Sequence, residues 1–376
     1  MITFLLAPDK FKGSLSSFEV CNAIEEGLLQ ACPLFRVIKL PMADGGDGLA
    51  EVIRYYTGAV PQSAPVQDPL GRTINAEWLL SADGKTAIIE MAKASGLSRL
   101  KLTEYNPLKT SSFGTGQLIR TAVGRGVQHV ILGIGGSATN DGGIGMAAAL
   151  GVRFLDENGA ELVPIGGHLG RIAAIKTEGG INLQSVTFQV ACDVKNPLLG
   201  QEGASRVYAP QKGADAVMVE TLERGMQHFA GILKKGLGMD VTALEGGGAA
   251  GGMGAGCVAF LKASLVSGID LVMQYAELEK HLAEADIMVT GEGRIDEQTL
   301  QGKVVAGVAA LARQHHKRVI AFCGSQNISS AQLTAGGIDA VFPILKYPMT
   351  LEEAKKNAFT FLRDTAFSVG SLLKQP

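Results

Sequence analysis

The 376-residue sequence lacks the signatures of several functional classes. Its five cysteines are scattered, odd in number and without CxxC spacing, so neither a disulfide framework nor a zinc site is predicted. A formal net charge of −2 gives no basic surface for nucleic acid. No apolar run reaches the roughly 18 residues of a membrane helix, and the first apolar stretch is too short for a signal peptide. We therefore predict a cytoplasmic protein that binds neither nucleic acid nor membranes.

The composition that remains is that of a folded protein with small-molecule ligands. Hydrophobic residues make up 46% and charged residues 19% of the chain, which leaves little room for disordered segments. The length allows two domains with full cores. The sequence leaves open whether the chain is a monomer or a homodimer.

Hydrophobic patterning predicts a discontinuous α/β fold. Short apolar strands alternate with helices at both ends of the chain, which is typical of a Rossmann-like, doubly wound parallel sheet. A predicted hairpin in the middle belongs to a mixed sheet. We therefore predict a Rossmann-like domain at 1–61 plus 283–376 and an inserted mixed α+β domain at 62–282, with the active site in the cleft between them. The predicted strands are 2–7, 37–40, 74–80, 87–91, 127–134, 152–155, 186–192, 287–290, 319–323 and 340–344, and the predicted helices are 16–32, 48–56, 303–315 and 351–373.

The densest polar cluster is GIGGSATNDGG at 133–143, between a predicted strand and a helix start. Glycine lets backbone N–H groups approach a ligand, and a helix start adds partial positive charge, so the loop is predicted to bind phosphate or carboxylate. Its candidate side chains are Ser137, Thr139, Asn140 and Asp141, and Asp141 can also cap the helix. No Walker A loop is present, since GKT at 84–86 and GK at 302–303 lack the upstream glycine.

Three clusters belong to the predicted Rossmann-like domain: APDKFKGSLS at 7–16, PMADGGDG at 41–48 and VTGEGRIDEQT at 289–299. The first offers lysines to an anionic substrate, and the second offers carboxylates that can hold Mg²⁺ together with water. Each can also be an ordinary capped or salt-bridged loop. The candidate residues are Lys10, Lys12, Asp44, Asp47, Glu292, Arg294 and Asp296.

Three more clusters belong to the predicted inserted domain. ACDVKNP at 191–197 sets Asp193 directly after a strand, where a carboxylate can accept a hydroxyl proton or hold a metal. YAPQKGAD at 208–215 offers Lys212. EGGGAAGGMGAG at 245–256 contains Gly251 and Gly252, and its many glycines predict a loop that closely surrounds a ligand, with a plain linker as the alternative.

Taken together and in this order, these segments resemble the glycerate kinase type-1 family over nearly the whole chain. The resemblance implies transfer of the ATP γ-phosphoryl group to a hydroxyl of D-glycerate, with Mg²⁺, in a two-domain fold. It alone favours the 2-hydroxyl as the acceptor.

Phosphoryl transfer demands positioning and charge neutralisation more than covalent chemistry. We therefore predict Asp193 as the base that orients the hydroxyl and Asp44 as a metal ligand or alternative base, with both as candidate ligands of Mg²⁺. Lys10 is predicted to be catalytic, and Lys10, Lys12 and Arg294 to meet the carboxylate and phosphate charges. Arg294 is the preferred carboxylate ligand because arginine can bind a carboxylate bidentately.

Two other interpretations are open. The first is an NAD-dependent dehydrogenase of a small hydroxy acid, because Gly133, Gly135 and Ala138 match GxGxxA and Asp156 follows about 20 residues later. Its crossover helix would be short. The second is a non-enzymatic sensor of a sugar acid or nucleotide, although no separate output element is visible in the sequence.

Overall fold

The computed structural model describes residues 2–44, 48–297, 299 and 304–374. The chain divides into two units, which we name by their position in the sequence. The outer unit is Met1–Val52 with Gly268–Pro376, and the inner unit is Ile53–Ser267. Residues 53–61 therefore group with the inner unit and 268–282 with the outer unit, which differs from the predicted boundaries near 62 and 282. The first difference arises because a strand that starts at Val60 pairs within the inner sheet.

The chain begins in the outer unit with β1 (Thr3–Leu6), α1 (Ser17–Ala31) and β2 (Arg36–Lys39), and the next helix, α2 (Leu49–Thr57), continues across the boundary into the inner unit. β1 is buried along its whole length, as expected for a central parallel strand covered on both faces. α1 begins at a capping box: Ser16 Oγ accepts a hydrogen bond from the Glu19 amide, and the Glu19 carboxylate accepts one from the Ser16 amide.

The inner unit is built on a mixed sheet with the strand order β10-β9-β6-β5-β4-β3. The pairs β5–β6, β6–β9 and β9–β10 are parallel, and the pairs β3–β4 and β4–β5 are antiparallel. The predicted hairpin and mixed sheet are therefore confirmed. A separate antiparallel pair joins β7 and β8. The elements are β3 (Val60–Gln67), β4 (Thr73–Leu80), β5 (Thr86–Glu90), α3 (Ala92–Ser95), α4 (Phe113–Gly124), β6 (His129–Gly133), α5 (Ile144–Ala149), β7 (Arg153–Leu155), β8 (Ala174–Lys176), β9 (Thr187–Ala191), α6 (Ala204–Tyr208), α7 (Ala216–Leu237), α8 (Ala249–Leu261) and β10 (Ser264–Val266).

The chain returns to the outer unit and completes a five-stranded sheet in the order β13-β12-β11-β1-β2. All of its pairs are parallel, which confirms the predicted parallel sheet. The remaining elements are α9 (Gly268–Tyr275), α10 (Leu278–Glu284), β11 (Ile287–Ile295), α11 (Val304–Gln314), β12 (Arg318–Gln326), α12 (Ser330–Ala335), β13 (Ala340–Pro343) and α13 (Leu351–Leu373).

Each unit has its own hydrophobic core. In the outer unit, α1 and α13 pack with the sheet around Phe4, Leu28 and Leu362. The two helices approach closely at Gly27, where an added Cβ would lie 2.1 Å from the Arg363 carbonyl oxygen. In the inner unit, the apolar faces of α4 and α8 pack against the sheet, and α7 covers a second apolar cluster. These cores fix the strand ends from which the polar motifs extend.

Candidate functional site

The three polar motifs of the outer unit meet where β1 and β2 end, beside the second half of β11. The Asp9 amide donates to the Gly291 carbonyl at 2.9 Å, and the Met42 amide donates to the Pro8 carbonyl at 3.0 Å. These bonds join the segments after β1 and β2 to β11. The carboxyl ends of parallel strands are the usual position of ligand sites in open α/β sheets.

Asp9, Asp44 and Glu292 form a carboxylate cluster at this edge. Burial and the neighbouring carboxylate of Asp44 raise the pKa of Asp9 to about 7; Glu292 adds to the rise, and the Lys10 amide and charge oppose it. Asp9 is 8% exposed. Asp9 is not among the residues predicted for the site, although its place directly after a buried strand is the same signal that indicates Asp193.

The raised pKa of Asp9 predicts a pH-dependent stability. The folded state binds its proton more tightly than the unfolded chain, so this contribution is fully present below about pH 4 and is lost as the pH rises through about 7. The free energy of unfolding of Asp9→Asn minus that of the unmodified protein should increase by about 2–3 kcal/mol from pH 5 to pH 8. Urea unfolding at both pH values in a chelating buffer measures this.

Glu26→Gln is the matched control, since Glu26 lies exposed on α1 of the same unit. Its unfolding free energy should follow that of the unmodified protein at both pH values. A pH dependence of Asp9→Asn that parallels this control would contradict the shifted pKa.

The predicted basic residues of the outer unit lie on the same motifs. Lys12 is exposed and Lys10 is half-buried, and an added Cβ at Gly293 would lie 3.3 Å from the Lys12 amide. Arg294 Nε lies 3.3 Å from Asp296 Oδ2, with the arginine side chain 61% exposed. Asp47, Gly302 and Lys303 lie outside the described residues.

One local prediction for this motif is wrong. Glu292 and Arg294 were expected in a turn after a strand ending at 290, but β11 continues to Ile295. The reason is tertiary: β12 also continues, so that Glu292 pairs with Cys323 and Arg294 with Ser325. The two side chains are thus held on a rigid strand.

In the inner unit, Asp141 organises the polar loop that follows β6. Its carboxylate accepts hydrogen bonds from the Ser112 amide and hydroxyl, both at 2.7 Å, from the Gly143 amide at 3.1 Å and from the Gly145 amide at 3.2 Å. The helix that follows, α5, has only six residues. The amides at the start of α5 are therefore already hydrogen-bonded to the Asp141 carboxylate of the chain itself. Burial raises the pKa of Asp141, against these hydrogen bonds.

Lys212 is buried beneath the same loop. Its Nζ donates to Ser137 Oγ at 2.8 Å and to the Thr139 carbonyl at 2.6 Å. The side chain is 1% exposed, whereas the sequence predicted a polar turn. Asn140 Nδ2 donates to Ser205 Oγ at 3.1 Å. Thr139 Oγ1 and Asn140 Oδ1 are buried without a hydrogen-bond partner among the described residues.

Gly251 and Gly252 lie under this loop in a kink of α8. Both have positive φ, as does Ala250. The Gly142 amide donates to the Gly251 carbonyl at 3.0 Å, and a Cβ at Gly251 would lie 2.1 Å from the Thr139 carbonyl oxygen. The glycine-rich segment, predicted as a loop, has non-helical backbone at 250–252 and enters the regular helix only after this kink, and its glycines permit close backbone packing. Their predicted contact with a ligand stays a prediction.

Asp193 follows β9 and is exposed. The motif around it is braced by Asn196, whose Oδ1 accepts a hydrogen bond from the Tyr208 hydroxyl at 2.7 Å. The Asn196 carbonyl accepts one from the Gly248 amide at 3.0 Å. Since β5, β6 and β9 are parallel neighbours, the inner polar motifs also gather at carboxyl strand ends.

Within 2–44, 48–297, 299 and 304–374, no three or more histidine, cysteine, aspartate or glutamate side chains are grouped to hold a metal ion. Mg²⁺ does not require such a group, because one or two carboxylates with phosphate and water complete its shell. Of the helices in the described part of the chain, none has the length and hydrophobicity to cross a membrane.

Two α/β units with polar, glycine-lined motifs at the carboxyl ends of parallel strands are the construction of a small-molecule enzyme. The sequence profile of the glycerate kinase family matches residues 4–374. The chain belongs to the glycerate kinase family, as the motif resemblance implied, and it is an enzyme.

Individual relatives agree with this assignment. The chain is 46% identical over 356 residues to glycerate 2-kinase of Escherichia coli K12, covering 94% of this chain and 93% of that protein. It is 44% identical to a glycerate kinase of Halalkalibacterium halodurans, covering 98% and 97%. The crystal structure of a putative glycerate kinase 2 from Salmonella typhimurium LT2 superposes with a TM-score of 0.88 at 46% identity, covering 99% and 98% of the two chains.

The dehydrogenase interpretation is not supported. The short crossover helix is the six-residue α5. Asp156 lies in a tight turn, where its Oδ1 accepts hydrogen bonds from the amides of Asn158 and Ala160. Family membership also removes the non-enzymatic sensor.

Proposed function

We propose that this enzyme transfers the γ-phosphoryl group of ATP to the 2-hydroxyl of D-glycerate and requires Mg²⁺. The relative in E. coli named glycerate 2-kinase supports the position of transfer. The observation that carries the proposal is the gathering of the family motifs at carboxyl strand ends in both units. The proposal includes a cytoplasmic location, supported by five free cysteines.

The reaction needs a proton acceptor and neutralisation of phosphate charge. The glycerate 2-hydroxyl oxygen attacks the γ-phosphorus, the bond from that phosphorus to the β–γ bridging oxygen breaks, and ADP leaves with the electron pair. The hydroxyl proton passes to a carboxylate. We assign this role first to Asp193 and alternatively to Asp44. Lys10 and Lys12 meet phosphate charge.

The carboxylate cluster of the outer unit fits Mg²⁺ by its charge. After burial, Asp44 and Glu292 contribute to the raised pKa of Asp9 as like charges, and a bound cation would relieve this repulsion. Asp44 would hold the ion in the outer unit, and Asp193 is the candidate ligand of the inner unit. When bound, Mg²⁺ neutralises charge on the phosphates.

Product identification tests the proposed function. Purified protein is incubated with Mg-ATP and D-glycerate, and the phosphorylated product is identified by ³¹P and ¹H NMR. We expect 2-phospho-D-glycerate, and none of it when Mg²⁺ is removed by a chelator. The 3-phosphate as product would overturn the position of transfer, and no phosphorylated acid would overturn the proposal.

Arg294 is proposed to bind the glycerate carboxylate. Lysine keeps the charge but loses bidentate geometry, so Arg294→Lys should raise KM for glycerate by about 10-fold with little change in kcat. Steady-state kinetics at saturating ATP measures this. Arg318→Lys, an exposed change at the opposite end of the sheet on β12, serves as the control. An unaltered KM in Arg294→Lys would count against the assignment.

A further inference from the structure

Lys212 determines the hydrogen-bonding direction of Ser137. An ammonium group has three hydrogens and no acceptor, so Ser137 Oγ accepts in its 2.8 Å contact with Lys212 Nζ. The second bond of the ammonium, to the Thr139 carbonyl at 2.6 Å, fixes the lysine on the same loop. The hydroxyl hydrogen of Ser137 must therefore point away from the lysine.

That hydrogen has no acceptor within the described chain. Among the described residues, Ser137 Oγ makes one hydrogen bond, which is the contact with Lys212. Ser137 itself is 6% exposed, and it directly follows the exposed Gly135 and Gly136. The serine hydroxyl thus stands as an oriented donor beside the open part of the glycine loop.

We propose that Lys212 is a positioning residue that polarises the Ser137 hydroxyl, which donates its hydrogen to an anionic oxygen of a bound substrate. The proposal rests on the proposed kinase function, since it gives the loop a carboxylate or phosphate oxygen to bind. A chain of hydrogen bonds from a cation strengthens the terminal donor, most of all in a buried setting. This use explains why the chain tolerates the desolvation cost of a buried ammonium.

The charge of Lys212 responds to pH. Burial lowers the pKa of Lys212 to about 7, and the carboxylate of Asp141 opposes this shift. The neighbouring segment places the backbone of Tyr105, an uncharged group, against Gly213, the residue after Lys212. As the pH rises through about 7, the ammonium loses its charge and Ser137 becomes a weaker donor. Activity that depends on this pair should fall in the same direction.

A double-mutant cycle tests the coupling. Lys212→Met and Ser137→Ala should each lower kcat/KM by about 10- to 100-fold. The double variant should be no slower than the slower single variant. Lys235→Met, an exposed change on α7, is the control and should leave kcat/KM unchanged. Effects that multiply in the double variant, or single variants without effect, would overturn the proposal.

Separate titrations identify the substrate oxygen. A rise in KM confined to glycerate in Ser137→Ala indicates the carboxylate, and one confined to ATP indicates a phosphate; both outcomes support the proposal. An unmodified protein that does not phosphorylate glycerate would defeat the proposed function instead. If the unmodified protein does not phosphorylate glycerate, the affinities of the same variants for D-glycerate and ATP are measured by calorimetry. The double variant should then bind no more weakly than the weaker single variant.

A pH profile keeps the proposal testable if circular dichroism shows that Lys212→Met does not fold. kcat/KM of the unmodified protein should fall as the pH rises from about 7 to 9, and this fall should be absent in Ser137→Ala. Identical profiles for the two proteins would overturn the proposal.

Discussion

Replacement of Asp193 by asparagine is expected to lower kcat by about 10²- to 10⁴-fold with the fold intact. Asparagine keeps the size of the side chain but cannot take the hydroxyl proton. Asp193 is exposed directly after β9, so the substitution should leave the free energy of unfolding almost unchanged. Steady-state kinetics at saturating D-glycerate and Mg-ATP, together with urea unfolding, measure both quantities.

Glu157→Gln is the matched control, because Glu157 lies exposed in a turn of the same unit and loses a carboxylate in the same way. Its kcat should remain that of the unmodified protein. If kcat of Asp193→Asn is equally unchanged, Asp193 has no role in proton transfer, and Asp44→Asn becomes the variant to measure.

Replacement of Gly251 by alanine is expected to destabilise the inner unit by about 3 kcal/mol or more and to abolish activity. The added Cβ would lie 2.1 Å from the Thr139 carbonyl oxygen, and φ at Gly251 is +73°. Both the contact and the left-handed backbone oppose a side chain here. Thermal and urea unfolding followed by circular dichroism measure the loss.

Gly231→Ala provides the opposite control, since Gly231 lies exposed within α7 and an added Cβ meets nothing within 4 Å. Alanine at this position should stabilise the helix by about 0.5–1 kcal/mol. Equal stabilities of the two alanine variants would show that Gly251 does not need its backbone conformation.

The strand and helix pattern of the outer unit could be predicted because its signals are local. The helix predicted at 351–373 is observed with the same ends, and the observed β1 lies within the strand predicted at 2–7. β3 was missed because Pro61 and Pro65 argue against a strand. It is an edge strand of its sheet, the position in which prolines do not interrupt ladder hydrogen bonds.

The placement of the candidate motifs in the fold was partly predictable for the same reason. Motifs placed directly after strands reach the carboxyl edge of a parallel sheet in any α/β fold, so the positions of Asp193 and Lys10 after strands could be predicted from the sequence, and their roles stay predictions. The burial of Lys212 could not, since its partners Ser137 and Thr139 lie more than 70 residues away in sequence. The shifted pKa of Asp9 likewise needs Asp44 and Glu292 beside it.

By itself, the sequence determined the α/β class and the glycerate kinase family, because periodicity and ordered motifs are properties of neighbouring residues. Tertiary structure decided which polar groups face one another and which are buried. The bond from Thr290 Oγ1 to the Ala7 carbonyl joins residues 283 positions apart, and Gly251 packs on Thr139. Such contacts depend on strand order and helix packing, and these set the electrostatic environment on which the proposed chemistry depends.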